Sequence, residues 1–125
     1  MLFHQFSSQK ERRKFGGSAF IEIQFCKLPF GTKTETLINN VNFWKDDSLY
    51  IHISDDEVFC KEYKHIFDCS INDNSFDIHG INYYDSSSAE RIIDALLNYK
   101  PLEFKALIAW LEISKSYNGF YILGI

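Results

Sequence analysis

The stretch from His52 to Cys69, HISDDEVFCKEYKHIFDC, carries two histidines, two cysteines and the acidic triplet Asp55-Asp56-Glu57. Imidazole and thiolate together bind zinc, a thiol beside an imidazole makes a nucleophile, and a run of surface carboxylates attracts a basic partner. Each chemistry demands its own spacing. Zinc ligands come in short pairs such as CxxC or HxxxH, whereas His52, Cys60, His65 and Cys69 are separated by seven, four and three residues. On a helix, Cys60 and His65 point about 140° apart. No metal and no cofactor are expected.

Catalysis fares no better. Cys69 and His65 form a thiol–imidazole couple at helical spacing, but the sequence offers no third residue to orient the imidazole. There is no GxSxG, HExxH, glycine-rich phosphate loop or Walker lysine. His4 and His79 are isolated. The expectation is a protein that is not an enzyme, with a small enzyme as the remote alternative.

The carboxylates carry more weight. Asp46, Asp47, Asp55, Asp56, Glu57, Glu62, Asp68, Asp73, Asp77 and Asp85 face only Lys61 and Lys64 over the same segment. The net charge of −4 hides a gradient of +4 over residues 1–33, −9 over 34–98 and +1 over 99–125. So acidic a middle would repel phosphates and suits a basic protein. Helix capping accounts for single residues, and a face kept acidic for solubility is the competing explanation for the excess. Asp55, Asp56, Glu57, Asp68 and Asp73 are the expected docking carboxylates, and Tyr84 the expected exposed aromatic anchor.

These residues need a frame to hold them. A chain of 125 residues with 46% hydrophobic and 17% aromatic content makes one domain with a real core. Three cysteines without CxxC spacing suit reduced thiols. The start has no secretory pattern, and the longest apolar run, Ala106–Leu111, is far too short to span a membrane. The expected compartment is the cytoplasm.

The pattern of SAFIEIQFC (18–26) has period two, with Glu22 and Gln24 opposite Ile21, Ile23 and Phe25, and predicts a half-buried strand. The basic, glycine-ended stretch before it predicts a flexible loop over 7–18, and MLFHQF a short edge strand. A helix is predicted over 33–43, with Thr32 and Glu35 in capping-box spacing, and a strand over 48–54. Ser54 and Glu57 have the same spacing ahead of a helix over 55–67, with Phe59, Tyr63, Ile66 and Phe67 on one face. FDIHGINYY (76–84) reads as a strand whose phase slips at Gly80, through a bulge or a tight hairpin; a bulge would turn Tyr83 inward and Tyr84 outward. Ser87 and Glu90 open the clearest helix, Pro101 suits the first turn of the next, and LEFKALIAWLEIS is apolar on most sides, which predicts deep packing. FYILGI closes the pattern as a central strand. The result is a single α+β domain over 1–125, a mixed or antiparallel sheet with helices packed on it and the C-terminal strand within it.

The C-terminal half resembles the small immunity proteins of bacterial contact-dependent growth inhibition systems, in particular those paired with ribonuclease toxins. The likeness rests on NYY at Asn82–Tyr84, the helix with Ile92-Ile93, NYKP at 98–101, the Trp110-Leu111 helix and the closing NGFYILGI, and covers roughly 58–125. The resemblance implies a cytoplasmic inhibitor, a monomer or one half of a 1:1 complex, that binds the C-terminal nuclease domain of one cognate toxin and contacts neither nucleic acid nor membrane. It carries over no contact residue. An adaptor or regulatory domain for another basic protein is the alternative.

Overall fold

The computed structural model describes residues 1–68 and 76–124. The elements run α1 (Gln9–Gly16), β1 (Phe20–Phe25), α2 (Thr34–Asn39), β2 (Leu49–His52), α3 (Asp56–Phe67), β3 (Ile81–Tyr84), α4 (Ser86–Tyr99), α5 (Phe104–Ser114) and β4 (Phe120–Leu123). The four strands form one antiparallel sheet in the order β2-β1-β4-β3. β4 is central, as its unbroken apolar run predicts. The N-terminal stretch adds a single bridge, His4 to Tyr50, at the β2 edge. Among the described residues no helix is long and apolar enough to cross a membrane.

Alternation along the strands sorts the core into two layers. Ile21, Ile23, Phe25, Leu49, Ile51, Phe120 and Ile122 share one face with Tyr84 and pack against α3, α4 and α5. Phe59, Tyr63 and Phe67 come from α3, Ile92, Ile93 and Leu96 from α4, and Leu107, Trp110 and Leu111 from α5. Trp110 stacks on Phe25 with ring centroids 4.0 Å apart. The other face is covered too. Leu37 of α2 joins Cys26, Tyr121 and Leu123 there, and α1 lays Arg12 over Phe20. β1 is therefore buried along its whole length, not half-buried.

Several local expectations are corrected. The stretch expected as a loop over 7–18 contains α1, started by the Ser8 side chain accepting from the Glu11 N–H. Neither Ser54, Thr32 nor Ser87 caps a helix: Asp85 caps α4 by accepting from the Ser88 N–H (3.0 Å), while Lys33 and Asp55 precede α2 and α3 without a side-chain cap. Pro101 sits in the turn ahead of α5, not within it. The slip at Gly80 is neither a bulge nor a strand hairpin. Asp77 closes a turn, its carbonyl accepting from the Gly80 N–H (3.1 Å) and its side chain from the His79 N–H (2.9 Å), and the strand starts only at Ile81.

Candidate protein-binding face

The acidic triplet lies at the start of α3, and His52 sets it there. The last residue of β2 accepts at Nδ1 from the Ser54 N–H (3.2 Å), which turns the chain into one tight 3₁₀ turn over Ile53–Asp55 before the helix begins. Asp56 and Glu57 fill the first turn of α3, where the positive end of the helix dipole favours anions. Among the described residues, the carboxylates of Asp55, Asp56 and Glu57 make no hydrogen bond or ion pair. Glu57 is exposed and the two aspartates partly so. Ile53 and Val58 flank them, each 38% exposed. The result is three uncompensated charges around two accessible apolar side chains.

The other expected contacts do not join this cluster. Asp68 lies at the far end of α3, about 18 Å along the helix axis from Asp56. Its carboxylate accepts from the Phe76 N–H (2.6 Å) and pairs with Lys64 (3.3 Å), so it pins the chain that returns from α3. Asp73 and Cys69 lie outside the described residues. Tyr84 is a correction: it is buried at 3% exposure, stacked on Phe120 at 5.1 Å, with its hydroxyl donating to the Phe67 carbonyl (3.2 Å). Burial raises its phenol well above the usual value. The inward phase belongs to Tyr84 because Phe76 and Ile78 precede a turn, so their parity says nothing about the strand after it. Tyr83 lies on the second face and donates to the Asn118 carbonyl (2.7 Å).

Other acids of the middle segment are also committed. Asp46 accepts from Gln9 (2.9 Å), Asp47 pairs with Lys27 (2.5 Å), Asp77 closes its turn and Asp85 caps α4. Among the described residues, the named acids left without a hydrogen bond or ion pair are Asp55, Asp56 and Glu57 at the start of α3 and Glu62 further along it.

The His/Cys stretch does not converge. The His52 ring is held by Ser54 and packs edge-on to Phe20 at 5.2 Å, while His65 packs against Tyr99 at 5.0 Å. Burial, with help from Asp56, pushes the Cys60 thiol upward, away from the thiolate that binds metal or attacks carbon. Among the described residues no group of three or more His, Cys, Asp or Glu could hold an ion.

One chemically dense centre escapes the sequence pattern. Glu22, read as solvent-facing, is 1% exposed. Its carboxylate accepts from the Trp44 N–H (2.7 Å), the Lys45 N–H (2.9 Å), the Ser48 hydroxyl (2.6 Å) and Gln24 Nε2 (3.0 Å). To aim two consecutive amides at one anion, Trp44 takes φ 71°, a left-handed conformation rare for a bulky residue. The Arg12 guanidinium covers the Trp44 ring at 3.8 Å. Tyr50, fully buried beside them, donates to the Lys45 carbonyl (2.5 Å), and burial together with Glu22 pushes its phenol up to about 12. Three of these donors, the Trp44 N–H, the Lys45 N–H and the Ser48 hydroxyl, come from one loop, so the centre is a staple holding residues 42–48 to β1.

A scan against family models, a search of curated proteins and a search of solved structures each found no match for this chain.

Proposed function

We propose that this protein is an immunity-type inhibitor that docks a basic nuclease toxin domain through the start of α3. The observation that carries the reading is the uncompensated set Asp55, Asp56 and Glu57 beside exposed Ile53 and Val58. A nuclease must be basic where it holds phosphate, so a carboxylate cluster steers encounter and competes for the same surface. The two apolar side chains supply the desolvated centre that charge alone lacks. The likeness of the C-terminal half to growth-inhibition immunity proteins names the partner class.

The test is to express the product of the gene immediately upstream of this protein's own and to assay it for RNA cleavage with and without this protein. The wild type should block cleavage at equimolar ratio. The triple variant Asp55→Asn/Asp56→Asn/Glu57→Gln should fold and bind far more weakly, since charges at a desolvated contact are worth about 2–5 kcal/mol. A wild type that leaves cleavage untouched ends the toxin assignment. A triple variant that protects as well as the wild type moves the docking face elsewhere.

A further inference from the structure

α5 is apolar on most sides, yet only one side is packed. Leu107, Trp110, Leu111 and Ser114 face the core. To one side of them Ala106 and Ala109 are exposed and Ile113 is 56% exposed, with Leu102, 48% exposed, in the turn leading in. Within α5, Ala106, Ala109 and Ile113 are spaced three and four apart, a stripe of the a/d kind that a second helix can cover. A groove of about 640 Å³ lined by Leu97, Phe104 and Ile108 runs along one flank. A second, of about 460 Å³ and lined by Phe3, Leu49 and Trp110, runs along the other. Ala109 borders both.

We infer that this face is covered by α5 of a second copy, antiparallel across a two-fold axis. The order of side chains along the seam selects that occupant. When the helix is reversed against itself, Ala106 falls opposite Ala109 of the second copy, so small meets small at the crossing, with an Ile113 beyond it on either side. The alanines let the backbones approach, and each ridge enters the partner's groove. Charge agrees with shape. Lys105 and Glu112 are seven residues apart and share one flank, and in an antiparallel pair like flanks face each other. Each Lys105 therefore meets Glu112 of the second copy, twice per dimer. Within one copy, Lys105 makes no ion pair among the described residues, and Glu112 is held by Lys115 (2.9 Å) through one oxygen. The two-fold interface is isologous, as closed dimers require. It uses α5 and not the start of α3, so it stands apart from the toxin reading.

Sedimentation equilibrium on the full chain, without any toxin, tests it. The wild type should show a concentration-dependent monomer–dimer equilibrium. Ala109→Arg, which keeps helix propensity at an exposed site, should sediment as a folded monomer with an unchanged far-UV spectrum. Lys105→Glu should weaken the dimer roughly tenfold, because the axis places each clash twice. Lys105→Glu/Glu112→Lys should restore it. A wild type that stays monomeric at every concentration overturns the proposal, as does an Ala109→Arg chain that associates like the wild type. Association that ignores Lys105→Glu, or that the double reversal fails to recover, overturns the antiparallel pairing.

Discussion

Single side chains separate the parts that hold the molecule from the parts open to a partner. Glu22 belongs to the first kind. Glu22→Gln keeps the shape but must aim its amide donor either at the Trp44 N–H or at the Lys45 N–H and the Ser48 hydroxyl, so chemical denaturation should show a loss of about 3 kcal/mol. A loss within experimental error would mean that the loop over 42–48 holds itself. Asp85 gives a pH test. Burial alone would raise its carboxyl, but the hydrogen bonds from Ser87 and Ser88 outweigh it and hold the group below its ordinary 3.8. The unfolded chain then takes up the proton first, so the stabilisation is complete above the unfolded value and is lost as pH falls through the lower folded one. Asp85→Ala should cost ~1 kcal/mol at neutral pH, and its gap from the wild type should close below about pH 4. A gap that is constant with pH would remove Asp85 from the capping role.

At the scale of elements, the turn between α5 and β4 depends on Gly119. Its φ is +85°, and a Cβ there would lie 2.0 Å from the Tyr84 carbonyl oxygen, which belongs to the neighbouring strand. Gly119→Ala should lose at least ~2 kcal/mol and raise hydrogen exchange first in β3 and β4; a variant as stable as wild type would show that the two strands can part there. The order of strands and helices from β1 onward was readable because period-two and helical stripes mark faces that must be buried. α1 was not, because its one buried side chain is Arg12, a residue whose type signals solvent. Tyr83 and Tyr84 were assigned to the wrong faces because a turn, not a strand, separates them from Phe76. The acidic start of α3 was legible from its residue types. That Asp68 is a pin was not, since its partner is a backbone amide eight residues on. The exposed seam of α5 has the apolar pattern of a core helix, and sequence alone could not say which of its sides would be left over.

For the whole molecule, the charge gradient turns into a kinetic property. If the start of α3 steers a basic nuclease, association should slow steeply with ionic strength while dissociation changes little. The slope should be modest, since among the described residues only four of the ten named carboxylates, Asp55, Asp56, Glu57 and Glu62, make no hydrogen bond or ion pair. Stopped-flow rates that stay level from low to physiological salt would leave steering without support. One topological fact bears on how the protein comes into being. β4 comes after β1, β2 and β3 in sequence, yet it lies between β1 and β3, and among the described residues β3 pairs with no other strand. On the ribosome, β1 and β2 can join early, but β3 waits with both edges open until β4 has emerged. The nascent chain is therefore a split sheet that closes only when β4 arrives, so a translation product interrupted before β4 would offer unpaired strand edges to its neighbours.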